Sequence, residues 1–153
     1  MRNFLSGFNR ILSVFLLMVF FCLSGCDVYE SSIPNYPVQM ERDIYAINLV
    51  SPGSSYINDN KTASEAYGYG GILIACTWDG QYCAFDMACP VEADRNIKVS
   101  KTDQALIVKC ESCGEEYDLG FGDGTPTKKI SKEPLKRYSA ILNATNNHIV
   151  VTR

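Results

Sequence analysis

The chain carries seven cysteines and a single histidine, so any metal, redox or nucleophilic chemistry it performs falls on thiols. Cys22 and Cys26 close an N-terminal apolar run; the other five are Cys76, Cys83, Cys89, Cys110 and Cys113. Cys110-Glu111-Ser112-Cys113-Gly114 sets two thiols at a spacing that lets both grip one tetrahedral ion, with backbone N–H groups near the glycine to steady sulfur charge. Cys89-Pro90-Val91 offers a third thiol, and Cys83 or Glu92 could supply a fourth ligand, so zinc is one expected occupant. A second reading is metal-free: Cys89 bridges to Cys110 or Cys113, closing a loop of about twenty residues for a gain on the order of 3 kcal/mol. Five thiols cannot all pair as disulfides. A third reading, a redox-active dithiol at Cys110 and Cys113, lacks the helix start that lowers a thiol pKa, because the next residues read as strand.

The elements that must place these thiols are short. Segments rich in branched and aromatic residues run from Val38 to Leu49, Gly71 to Trp78, Gln81 to Phe85, Ile97 to Ser100, Ala105 to Lys109, Glu116 to Leu119, Ser139 to Leu142 and His148 to Thr152, cut by Gly, Pro and Asx turns. The best helical candidate is Lys61 to Tyr67, so the domain reads as mostly β. Asp79-Gly80 is a two-residue hairpin signal. With that tip Trp78 opposes Gln81, and Cys76 opposes Cys83 as a hydrogen-bonded pair with Cα atoms about 5.5 Å apart. A Cys76–Cys83 disulfide is therefore a candidate, subject to demanding geometry.

The N-terminus has the layout of a leader. Arg2 and Arg10 precede an apolar run from Ile11 to Leu23, too short for the roughly 20 residues of a spanning helix. It ends in Leu23-Ser24-Gly25-Cys26, which resembles the lipobox of bacterial lipoproteins. The resemblance implies cleavage after Gly25, acylation of Cys26 and a place on a membrane of the bacterial cell envelope, since buried acyl methylenes contribute about 0.8 kcal/mol each. The expected organisation is a signal peptide over residues 1–25, a lipidated cysteine and proline-punctuated tether over 26–37, and one β domain over 38–153. Loss of the leader removes Arg2 and Arg10 and no acid, taking the formal net charge from −3 to −5. The lysines are interspersed with acids and form no basic stripe, which excludes a nucleic-acid partner.

A family resemblance spans nearly all of the mature domain. Gly71-Ile-Leu-Ile-Ala75, Asp79-Gly-Gln-Tyr-Cys-Ala-Phe-Asp86, Cys89-Pro90, Cys110-x-x-Cys113-Gly114, Tyr117-Asp118-Leu119, Gly122-Asp-Gly-Thr-Pro126 and Pro134-Leu135 resemble, in order, the Rieske iron–sulfur domain. The resemblance implies an antiparallel β-sandwich with two cysteine-bearing loops, a 2Fe-2S cluster and electron transfer to an envelope redox partner. A Rieske centre needs two histidines on one iron. Here those positions are Val91 and Cys113, and the lone histidine, His148, lies outside both loops. A standard centre is thus impossible. What remains open is an altered 2Fe-2S cluster or zinc on Cys89, Cys110 and Cys113, or a metal-free interaction module. All-thiolate ligation would lower a cluster's potential relative to the two-histidine form. Catalysis by the domain itself is not expected; at most it is an electron-transfer component. Trp78, Tyr67 and Tyr69 read as a half-buried sheet face, His148 as an exposed strand start, and Glu92, Asp94, Glu115 and Glu116 as a solvated acidic rim.

Overall fold

A computed structural model describes residues 31–58 and 65–153. The leader, Cys26 and residues 61–64 of the expected short helix lie outside them; Ala66 and Tyr67 of that segment are extended. The described residues form eleven strands and no helix: β1 Val38–Asp43, β2 Ser55–Asn58, β3 Ala66–Tyr67, β4 Ile72–Cys76, β5 Tyr82–Asp86, β6 Val99–Lys101, β7 Ile107–Cys110, β8 Glu116–Asp118, β9 Thr125–Pro126, β10 Arg137–Asn143 and β11 His148–Thr152. All pairings are antiparallel. One sheet runs β2-β4-β5-β10-β11-β1-β3 and a second runs β6-β7-β8-β9.

β4 and β5 are the shared layer. Successive side chains of a strand point to opposite faces, and here both faces are covered, which is why Ile72–Cys76 reads as an unbroken apolar run and is buried throughout. Leu73, Ala75, Cys83 and Phe85 face the second sheet and meet Val99, Val108, Tyr117 and Leu119. Ile72, Ile74, Cys76 and Ala84 face the other way and meet Val38, Met40, Ile149 and Val151. The two cores sit back to back across one hairpin.

The tip of that hairpin corrects the expected register. Thr77 N–H bonds to Gln81 O at 2.8 Å and Gly80 N–H to Thr77 O at 3.0 Å, so the loop holds three residues, Trp78, Asp79 and Gly80, with Gly80 in the left-handed region at φ +79°. This is the three-residue hairpin with a glycine bulge, not the two-residue turn that Asp79-Gly80 suggests. Ala75 now opposes Cys83 and Cys76 opposes Tyr82. A one-residue slip sends a side chain to the other face of the sheet, so Cys76 and Cys83 enter different cores. Both are free thiols, and the Cys76–Cys83 bridge is absent.

Two other boundaries differ from expectation. The strand from Val38 ends at Asp43, where turns take over. Residues 31–37, read as tether, are fastened to the body: Ile33 is buried, Ser32 N–H bonds to Glu133 Oε2 at 2.8 Å, and Lys136 Nζ donates to Ile33 O at 2.7 Å. An isolated apolar residue between prolines and serines carries no period that would reveal such a strap.

Candidate metal centre

Two loops carry the site. β5 continues through Met87 to Cys89 and pairs with the return segment, with Val99 N–H on Met87 O at 2.8 Å, Cys89 N–H on Ile97 O at 3.0 Å and a bridge between Ala88 and Lys98. Residues 90–96 are the excursion, and Ala93 N–H closes it on Cys89 O at 2.9 Å. The second loop is the β7–β8 turn. Cys110 N–H bonds to Glu115 O at 2.9 Å and Gly114 N–H to Cys110 O at 2.8 Å, with Gly114 at φ +79°. A positive φ strains a residue with a Cβ, so glycine is favoured where the chain turns straight after Cys113. Ser112 Oγ donates to Glu92 Oε1 at 3.0 Å and ties the loops together.

The sulfurs of Cys89, Cys110 and Cys113 converge, all within 4.8 Å of one another. Cys89 Sγ and Cys113 Sγ are 3.6 Å apart, well beyond a bonded pair at about 2.05 Å. A tetrahedral ion with metal–sulfur bonds of about 2.3 Å holds its thiolates about 3.8 Å apart, so the observed spacing suits one shared ion. Cys89 and Cys110 are buried and Cys113 is half-buried. Burial pushes the Cys89 thiol up, opposed by the Tyr117 hydroxyl, whose oxygen is 3.7 Å from the sulfur. Burial likewise pushes Cys113 up to about 12, with the neighbouring Cys89 and Cys110 thiols adding to the rise. Without a cation Cys89 and Cys113 stay protonated; a bound ion reverses that, because only thiolates ligate. The rise at Cys113 runs against the lowered thiol pKa of a reactive dithiol.

The remaining candidates fall elsewhere. Cys83 is buried in the same core as Cys89 and Cys110, with its sulfur 3.6 Å from Ala75 O, and Glu92 accepts from Ser112; neither joins the three-thiol group. His148 pairs with Glu41 at 2.8 Å across the β1–β11 pair. Val91, where the sequence resemblance expects a histidine, is exposed. A two-histidine 2Fe-2S centre therefore does not fit this donor set. Thiolates on two different irons also stand further apart than thiolates sharing one, which makes the compact trio a better match to a single ion.

Two residues of the site were not legible as such. Glu115, read as part of a solvated rim, is fully buried. Its carboxylate accepts N–H groups from Glu116 at 3.0 Å, Lys128 at 2.8 Å and Ser131 at 2.6 Å. Burial disfavours its charge, yet the backbone N–H groups prevail and hold it below the usual carboxylate range. It thereby pins residues 128–131 to the turn that carries Cys110 and Cys113. Tyr117, buried beside Cys89, is the other; its position four residues after Cys113 in a strand that alternates inward was the available signal. Burial first, and then the Cys89 sulfur, push its hydroxyl upward.

No family model matches the chain, and no curated protein matches it. Among solved structures it is similar to a protein named as an NADH-dependent nitrite reductase small subunit from Mycobacterium tuberculosis, at 15% identity and a TM-score of 0.46, covering 76% of this chain and 96% of that one. A likeness at that distance carries no argument about activity. The class rests on the geometry: an all-β antiparallel domain in which two cysteine-bearing loops bring three thiols together.

Proposed function

We propose that this chain is a lipid-anchored envelope protein whose Rieske-like domain holds one thiolate-bound metal ion on Cys89, Cys110 and Cys113. The observation that carries the reading is the convergence of three sulfurs within 4.8 Å at the tips of two loops tied to each other. Zinc would make the centre structural. Iron would give it electron-transfer chemistry toward an envelope redox partner. The chain's own part is to present three thiolates, to place the Tyr117 hydroxyl against Cys89, and to exclude water from two of the sulfurs by burial. The lipobox and the apolar leader support anchoring through Cys26. The order of the Rieske-like motifs supports the family, with both histidine positions replaced.

One observation favours a second reading. At 3.6 Å, Cys89 and Cys113 are close enough to close into a disulfide with small movements in an oxidising envelope, leaving a metal-free interaction module. Metal and acid-labile sulfide analysis of the full chain, purified in detergent without oxygen, separates the two. One ion per chain without sulfide is the expected result. Iron with sulfide would replace the single ion by a cluster, and no metal together with a Cys89–Cys113 bridge would overturn the metal reading.

A further inference from the structure

A pocket of about 240 Å³ lies between the glycine-rich turn before β4 and the loop that carries Cys89; its walls include Tyr67, Tyr69, Arg95, Asn96 and Lys98. The Arg95 guanidinium sits 5.7 Å from the ring centroids of both Tyr36 and Tyr69, and those rings stand 5.3 Å apart at 53°. Stacking of this kind occupies the faces of a guanidinium and leaves its N–H edge available. Among the described residues no carboxylate pairs with Arg95 or Lys98. The nearest acid in sequence, Asp94, turns its Oδ1 to the Asn96 N–H at 2.8 Å. Asp86, beneath the floor, is buried and accepts from Tyr69 N–H at 2.7 Å, Gly70 N–H at 2.8 Å, Ala88 N–H at 2.8 Å and the Tyr138 hydroxyl at 2.6 Å, so its oxygens face inward.

The floor is backbone because close packing from beneath it demands glycine. A Cβ at Gly70 would come within 2.5 Å of Ala88 N, and one at Gly68, at φ +70°, within 2.5 Å of the Tyr138 hydroxyl. Two uncompensated cations thus flank a cavity with a backbone floor and tyrosine walls, in a chain whose net charge is negative. The loop that carries both cations also carries Cys89.

We infer that this pocket binds the phosphate group of a small anionic ligand. A carboxylate has two oxygens and is satisfied by the guanidinium fork alone. A phosphate takes the fork with two oxygens and has others left for the Lys98 ammonium and the Asn96 amide. The same chemistry is offered by a soluble phosphate ester and by a phospholipid headgroup. The latter is within the reach of the anchor, since Tyr36 of the arginine stack is ten residues after Cys26. The inference stands apart from the metal reading, because none of its groups is a thiol.

The test uses the reduced full chain in neutral-detergent micelles and two probes: radiolabelled inorganic phosphate in equilibrium dialysis, and phosphatidylglycerol counted by native mass spectrometry. Saturable binding of one probe molecule per chain is expected, with phosphate identifying a soluble source and retention of the lipid alone identifying a headgroup. Arg95→Gln with Lys98→Gln should weaken that binding tenfold or more, while Lys129→Gln with Lys132→Gln, an equal change in charge, should leave it in place. Arg95→Lys keeps the charge but removes the fork, and should weaken binding several-fold with the melting temperature unchanged. Failure of both probes to bind, or equal weakening by the two double variants, would overturn the inference.

Discussion

Cys76 and Cys83 are seven residues apart on one hairpin, yet the sheet sends them into different cores; Cys89 and Cys110 are three times as far apart in sequence, yet their sulfurs meet. The contrast teaches that pleat and topology decide which thiols can act together. Within a hairpin, one residue more or less in the turn changes the face. Between loops, the register of long-range pairs such as Val99 with Cys110 and the bridge between Ala88 and Lys98 set the spacing, whatever the separation along the chain.

Removing thiols separates the two sets most clearly. Cys89→Ser or Cys110→Ser should lower metal affinity by about a hundredfold or more, because a Cys-only trio has no spare thiolate. Cys76→Ala should leave metal content unchanged and cost about 1 kcal/mol of stability from the small void left in the second core. Competition with a chelator of known affinity, beside a denaturant melt, reads both. Retained metal in the first pair of variants would contradict the division.

Next in size is Glu115, which holds the turn from below. Glu115→Ala leaves three backbone N–H groups without their acceptor and should cost about 3 kcal/mol. The sign of the pH effect follows from its lowered folded pKa. Its contribution is present above the carboxylate's ordinary value of 4.5 and is lost as pH falls through the folded value. Acid melts of the wild type and variant should therefore converge at low pH.

Cys83 gives an effect of opposite sign. Burial, opposed in part by Arg137, pushes its thiol from 9.0 to about 11. That stability is fully present below pH 9 and is lost as pH rises toward 11, to the extent of roughly 2 kcal/mol at most. Cys83→Ala should flatten the alkaline limb of the stability curve. The smallest effect is at Tyr117, where Tyr117→Phe removes only the hydroxyl at the Cys89 sulfur and should weaken metal binding a few-fold, without loss of stoichiometry.

Much of this architecture could be read in advance, and the reasons for the failures are physical. His148–Thr152 is legible as a strand because three branched apolar residues, Ile149, Val150 and Val151, stand between polar ends, although burial alternates along it and hydropathy does not. β4 and β5 were recognisable as an apolar pair, but Asp79-Gly80 serves either a two-residue turn or the last two positions of a three-residue one, and only packing on both faces chooses between them. β2, Ser55–Asn58, carries two polar residues in four and gives no strand signal of its own; its place is set by pairing with β4. Cys89, Cys110 and Cys113 were legible as a set through their loops and the absence of histidine. Glu115 was not, because nothing in Gly114-Glu115-Glu116 tells which carboxylate turns inward to meet the N–H groups of residues 128 and 131.

Whether three thiolates share one ion can be read from cobalt(II) titration of the reduced full chain. Saturation at one equivalent, with a sulfur-to-cobalt charge-transfer band whose intensity matches three thiolates and which disappears in Cys110→Ser, is the predicted result. No charge-transfer band up to several equivalents of cobalt, with all three thiols still free to react, would contradict it.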